Sequence, residues 1–244
     1  MSEIIRFRNV TYSYSKGTPF EKKALDDVSF SVETGDFFGI YGLSGSGKST
    51  LLRLAAGLAK PSSGQIILRE NAKVGLVFQF PENQLFGASV IEDVMFGPSN
   101  LGLAKDNAKD KAQLALNQVG ISEKLFDISP FSLSGGEKRR VAIAGILAMG
   151  TDVLMLDEPL AGLDPEGQDD LCDLLQKLNK GGRTIIVVSH ESEILGNRCK
   201  NAAVLEAGKL KDTGSAKDVF KRNPAFAPVS SRIKSRLACM GIDI

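Results

Sequence analysis

The stretch Gly42-Leu43-Ser44-Gly45-Ser46-Gly47-Lys48-Ser49-Thr50 fits the pattern G-x-x-x-x-G-K-[ST]. An apolar run, Phe37-Phe38-Gly39-Ile40-Tyr41, leads into it, and a helical pattern runs from Ser49 through Leu58. Strand, glycine-rich loop and helix in that order form a polyphosphate cradle. The glycines let successive backbone N–H groups curl around phosphate oxygens, and the helix N-terminus adds partial positive charge at the same spot. Lys48 is expected to neutralise the β- and γ-phosphates, and Ser49 to hold Mg2+.

A second motif lies downstream. Val153-Leu154-Met155-Leu156 reads as a strand buried on both faces, ending in Asp157-Glu158. Ligand sites in open α/β sheets form at the carboxyl ends of such strands. Adjacent strand residues point to opposite sides, so the two acids are expected to differ in role: Asp157 in the Mg2+ shell, Glu158 as general base for an attacking water. Leu133-Ser134-Gly135-Gly136-Glu137 precedes a helical stretch running to Met149. Ser134 is an N-cap candidate, with Glu137 spaced as in a capping box. The two glycines leave N–H groups uncovered, a second phosphate cradle. One nucleotide has no use for two cradles in one chain, unless the second serves a neighbour's nucleotide.

The rest of the chain fits an α/β core. Ile5-Arg6-Phe7-Arg8 and Val28-Ser29-Phe30-Ser31-Val32 alternate as half-buried antiparallel strands do, with Gly17-Thr18-Pro19 turning between them. Val74 to Phe78 and Ile185-Ile186-Val187-Val188 read as buried strands. Val90 to Val119 reads as helical, with Ala108, Ala112, Leu114, Leu116 and Val119 on an apolar face and Asp106, Lys109, Asp110 and Lys111 in water. Pro165 to Leu178 reads as another helix, Pro165 in its first turn. Lys138, Arg139 and Arg140 are expected to be the exposed start of a helix whose remainder is buried. In sum, an antiparallel β subdomain and a helical subdomain flank a phosphate-loop α/β core.

Composition narrows the function. Thirty Lys and Arg against 29 Asp and Glu give a net charge of +1, which argues against a protein that coats nucleic acid by bulk charge. The three cysteines, Cys172, Cys199 and Cys239, form no C-x-x-C pair, so neither a disulfide framework nor a zinc site is expected, and a reducing compartment fits. Met1 to Arg6 lacks a basic region followed by an apolar stretch, so no secretory signal is read. The longest apolar run, Val141 to Met149, falls far short of the ~20 residues of a membrane span.

Taken together these motifs resemble the ATP-binding subunits of ABC transporters, over about residues 3–222. The set is complete and in order: Walker A at Gly42–Thr50, Gln79 in Val77-Phe78-Gln79, the signature Leu133–Glu137, Walker B at Val153–Glu158, the D-loop Ala161-Gly162-Leu163-Asp164, and His190 after its strand. The resemblance implies further roles. Tyr14 sits where an aromatic stacks on adenine. Gln79 is similar to the residue that touches Mg2+ and the attacking water and senses the membrane subunit. His190 looks like the γ-phosphate contact, and Asp164 like the residue that crosses the dimer interface. Glu137 replaces the commoner glutamine, and its side chain is expected to point away from the phosphates.

A narrower resemblance follows Gln79. Phe80-Pro81-Glu82-Asn83-Gln84-Leu85-Phe86, Val90 to Pro98 and Asn100-Leu101-Gly102 look like the ATPase subunits of energy-coupling-factor importers, as do Lys138 to Gly145 and Ala161 to Glu166. Such importers take up vitamins or transition-metal ions. They pair two ATPases, as a homodimer or heterodimer, with a transmembrane coupling protein and a substrate-binding membrane protein. The resemblance therefore implies a peripheral protein on the cytoplasmic face of the membrane, binding ATP and Mg2+, with no nucleic acid partner. The segment after Gln79 would meet the membrane partner.

Within this frame residues 1–222 form the ATP-binding domain, with a helical subdomain inserted at about 86–150, and residues 223–244 form a tail. Ile233, Leu237 and Met240 fall on one helical face there, as in a short docked helix. The alternative is a phosphate-loop ATPase of the DNA-repair or chromosome-maintenance class. That class needs a long coiled coil between Gln79 and the signature, and no sustained heptads occur there. Translation-type proteins carry two cassettes per chain, and phosphate-loop kinases lack the signature and His190.

Overall fold

A computed structural model describes residues 2–228 except 191, 192 and 194. The chain divides into two compact units, residues 1–71 with 178–244, and residues 72–177.

In the first unit, β1 (Glu3–Tyr14) pairs antiparallel with β2 (Lys22–Glu33) and, on its other edge, with β4 (Ser63–Leu68). Alternation of apolar and polar residues buries Ile5 and Phe7 of β1 and Val28 and Val32 of β2, and an irregularity in β1 between Phe7 and Val10 brings Val10 inward opposite Val28. Phe7 stacks on Phe30 at 4.6 Å, and Phe30 on Phe38 of β3 (Phe37–Tyr41) at 5.6 Å. Strand β3 pairs in parallel with β7 (Thr184–Ser189) and β8 (Asn201–Glu206), and β8 pairs antiparallel with β9 (Lys209–Ser215). Strands β3 and β7 are buried along their whole length, as their unbroken apolar runs require. Helix α1 (Lys48–Ala55) follows β3, and α6 (Ala216–Arg222) packs on β8 and β9.

In the second unit β5 (Val74–Val77) and β6 (Val153–Asp157) form a parallel pair in register, Val77 opposite Leu156. Between them the chain builds three mutually packed helices, α2 (Val90–Asn100), α3 (Lys105–Gln118) and α4 (Gly135–Ala148). Helix α5 (Pro165–Lys180) starts at Pro165 as expected and leads the chain back into the first unit.

Several expectations need correction. Val90 to Val119 is two helices rather than one, divided at Leu101-Gly102, where Gly102 adopts a left-handed φ of 87°. Leu114 is 63% exposed. Ala108, Ala112, Ala115 and Leu116 form the buried stripe of α3, and Leu114, six residues after Ala108, points about 240° around the helix from it. Helix α1 ends at Ala55 rather than Leu58, with Gly57 left-handed just beyond. Arg139 is buried, not exposed. The proposed tail helix at Ile233, Leu237 and Met240 lies outside the described residues.

Candidate functional site

In the first unit the glycine-rich loop is fixed from both sides. Gly47 has φ 101°, and a Cβ there would lie 2.6 Å from the Ala24 carbonyl oxygen of β2. A Cβ on Gly42 would lie 2.3 Å from the Leu205 carbonyl oxygen of β8 and 2.6 Å from Ser46 Oγ. Only glycine lets the backbone approach this closely, so the loop conformation is set before any ligand arrives. Ser44 and Gly45 are exposed at its tip. Lys48 is buried, its Nζ donating to the carbonyls of Gly42 at 2.8 Å and Leu43 at 3.1 Å, so the ammonium lies across the loop. Gly47 is the N-cap of α1 and supplies no side-chain acceptor to the helix's first N–H groups. Ser46 Oγ is buried with no hydrogen-bond partner among the described atoms.

Two other expected residues reach this end of the unit. The hydroxyls of Tyr14 and Thr50 share a hydrogen bond of 2.9 Å, which places the half-exposed Tyr14 ring beside the first turn of α1. Tyr12 stands edge-on to Tyr14 at 5.0 Å. Ser189 pairs with Tyr41 across the parallel strands, so the exposed His190 and the loop starting at Gly42 leave neighbouring strand ends on the same edge.

The second unit repeats this arrangement. Because β5 and β6 run in register, Gln79 and Asp157-Glu158 emerge from adjacent carboxyl ends. Asp157 is the last residue of β6 and is buried. Glu158 does not continue the strand, so strand alternation does not explain why the two acids differ. Its φ is 46°, a left-handed conformation uncommon for a non-glycine residue. Glu158 opens a turn in which its carbonyl accepts from the Ala161 N–H at 3.2 Å. Strain of this kind, of order 1–3 kcal/mol, persists where the surroundings impose it, and it clusters at functional sites. Asp164 Oδ1 accepts from the Gly167 N–H at 2.9 Å, so within one chain Asp164 caps α5.

The signature carries the expected capping box. Ser134 Oγ accepts from the Glu137 N–H at 3.3 Å, and Glu137 Oε2 accepts from the Ser134 N–H at 2.9 Å. Ser134 Oγ also donates to Glu137 Oε2 at 2.7 Å, so the Glu137 carboxylate curls back toward Ser134 at the helix N-terminus. These bonds to Ser134, with the charge of Arg140, hold its pKa below the ordinary value. Ser134 and Gly135 are exposed, and a Cβ on Gly135 or Gly136 would meet nothing within 4 Å, so this cradle is open to an outside ligand.

After Gln79 the chain forms a braced apolar surface. Asp93 Oδ1, on a buried side chain, accepts from the N–H groups of Phe86 and Gly87, each at 2.7 Å. Phe86 and Phe96 meet edge-to-face at 4.6 Å while both stay exposed, as does Phe80.

Arg139 is the residue that sequence reasoning missed. Its guanidinium lies among backbone carbonyls of the Gln79 segment and of the turn after Glu158. The signal was available: Ala142 and Ile143 are core residues of α4, and Arg139 lies three and four positions before them, on the same helix face. The basic run Lys138-Arg139-Arg140 concealed it.

The ABC transporter family profile matches residues 25–161, and the chain belongs to that family of ATP-binding cassettes. Its sequence relatives narrow the class to the ATP-binding proteins of energy-coupling factor transporters, which are ATPases. The energy-coupling factor transporter ATP-binding protein EcfA2 of Streptococcus agalactiae is 47% identical, covering 98% of this chain and 93% of that protein. That of Lactobacillus johnsonii is 43% identical, over 96% and 88%. Among solved structures, cbiO1 from Clostridium perfringens, part of the ABC transporter complex cbiONQ, superposes with a TM-score of 0.82 at 38% identity, covering 99% of this chain and 98% of that one. The ATP-binding cassette MJ0796, solved as a dimer bound to ADP and Pi, gives a TM-score of 0.75 at 28% identity, over 87% and 99%.

Proposed function

We propose that this chain is the ATP-hydrolysing motor of an energy-coupling-factor importer for a vitamin or a transition-metal ion. It works as one of two cassettes set head to tail about a two-fold axis. Each ATP is held by Walker A of one cassette and the signature of the other. The observation that carries this reading is the pair of separate cradles: the preformed loop at Gly42–Thr50, and the open helix N-terminus at Ser134–Gly136. The relatives' names and the dimeric MJ0796 structure support it.

In this reading Tyr14 stacks on adenine. The loop N–H groups and Lys48 hold the phosphates, with Lys48 exchanging its carbonyl partners for phosphate oxygens. Ser46 Oγ, buried and unpartnered, suits a loop that gains an acceptor from its ligand. Among the described residues no group of three or more His, Cys, Asp or Glu could hold a metal by itself. Mg2+ keeps several waters and is bound through one or two carboxylates together with substrate phosphates, so the Asp157 carboxylate, with the neutral oxygens of Ser49 and Gln79, would be a suitable donor set. When bound, Mg2+ neutralises charge on the transferring phosphoryl group. Glu158 accepts the proton of the attacking water, His190 contacts the γ-phosphate, and Asp164 reaches across the dimer interface.

Among the described residues no helix is long and apolar enough to cross a membrane. The protein is peripheral, on the cytoplasmic face, and its braced surface at Phe80, Phe86 and Phe96 receives the transmembrane coupling protein. Between Gln79 and the signature the only α-helices among the described residues are α2 and α3, 11 and 14 residues long, too short for the coiled coil of the DNA-repair class.

The test is affinity purification of the chain from detergent-extracted membranes of its own cells. A polytopic membrane protein and a small substrate-binding membrane protein should copurify. They should be lost when Phe86 and Phe96 are changed to Ser. Purification without any membrane protein, or with DNA, would refute the reading.

A further inference from the structure

Arg139 sits in the second turn of α4 with its side chain almost completely buried, at 6% exposure. One η nitrogen donates to the Pro159 carbonyl, and the other to the Ala161 carbonyl at 3.0 Å, with a longer reach of 3.5 Å to the Gln79 carbonyl. A buried guanidinium is costly unless its donors are satisfied, and its planar fork fixes the groups that it joins. Pro159 and Ala161 flank Leu160 in the turn that starts at Glu158, the residue with φ 46°. That turn has its own bond, Ala161 N–H to the Glu158 carbonyl, and the next, Leu163 N–H to the Leu160 carbonyl. One side chain of the signature helix therefore braces the strained turn at two carbonyls and touches the backbone of the Gln79 segment.

We infer that Arg139 is a positioning residue for hydrolysis, holding the turn that aims Glu158 at its water; this rests on the general-base reading of Glu158. Its guanidinium also ties the signature helix to that turn, so the cradle that would meet a neighbour's nucleotide is joined within one chain to the glutamate that would serve the chain's own nucleotide. Arg139→Met removes the donors at similar length. Arg139→Gln keeps an amide donor group and guards against a variant that simply misfolds.

The test uses the purified protein with its copurified membrane partners. Arg139→Met should lower kcat by about 10- to 100-fold, the scale of a small misplacement of a catalytic group, while KM for ATP stays within about twofold. Arg139→Gln should lie between Arg139→Met and wild type. In a Glu158→Gln background, Arg139→Met should change the residual turnover by less than about twofold, because the two residues act as a unit. Amide hydrogen exchange should quicken at Ala161 and Leu163 while the Ala142–Leu147 amides of α4 keep their protection. Unchanged exchange at the turn, general loss of protection, or the same fold-loss of kcat in both backgrounds would overturn the positioning role. Full turnover in Glu158→Gln alone would instead refute the general-base reading, and the exchange data would still decide whether Arg139 holds the turn.

Discussion

Glu137 Oε2 accepts two hydrogen bonds from Ser134, one from the backbone N–H at 2.9 Å and one from Oγ at 2.7 Å. A carboxylate thus stands at the helix end where the signature would meet a neighbour's nucleotide. Those bonds favour the ionised form and lower its pKa in the folded protein. A lowered folded pKa means stabilisation present above the unfolded value and lost as pH falls through the folded one. The melting temperature of Glu137→Gln should therefore fall less steeply than that of wild type on acidification through the carboxylate range. Thermal melts across that range check it, and parallel curves would contradict it.

Glu158→Gln should retain ATP binding and lose about 10²- to 10⁴-fold in turnover, the usual contribution of a general base. Equilibrium nucleotide binding and steady-state ATPase rates on the partner-bound protein separate the two effects. Near-normal turnover would remove Glu158 from that role.

Tyr14→Ala should weaken ATP binding by about 1–3 kcal/mol through lost stacking, and GTP binding similarly, since every base has a π-face. Tyr14→Phe keeps the ring and loses only the bond to Thr50, so it should bind almost as wild type. If Tyr12→Ala produces the loss and Tyr14→Ala does not, the stacking residue is Tyr12.

Gly47→Ala should destabilise the protein by about 1–3 kcal/mol, the cost of forcing extra volume into a packed site. Its Cβ would press on the Ala24 carbonyl oxygen from a left-handed backbone. Gly135→Ala meets open space and should leave the fold unchanged. Thermal melts of the two variants give the comparison.

Local rules carried the sequence reading where one element suffices. The loop Gly42–Thr50, the capping box at Ser134 and Glu137, and the buried strands β3, β6 and β7 each follow from neighbours in the chain. The reading failed where the partner is distant in sequence. Strand β8, whose parallel partner β3 lies far back in the chain, was missed, although its Leu205 sets the clearance at Gly42. Arg139 resembled its exposed neighbours because the carbonyls that bury it lie 20 and 22 residues along the chain, beyond a strand. Glu158 looked like a strand residue because no sequence pattern announces a left-handed φ at a glutamate. Leu114 reads as part of the apolar face of an amphipathic pattern, and the phase of α3 turns it out.

The central claim, that Walker A of one chain and the signature of another form one site, is tested by titrating wild type with the Lys48→Ala/Gly136→Asp double mutant. Lys48→Ala disables the loop, and Gly136→Asp fills the signature cradle with a side chain and a like charge. In a mixed dimer each interface then joins one intact half to one defective half. With total protein held constant, homodimers formed and subunit exchange verified by labelled chains, the account predicts that mixed dimers are inactive, so ATPase activity falls as the square of the wild-type fraction. Activity falling in simple proportion to the wild-type fraction would mean that each chain completes its own site, and would contradict it.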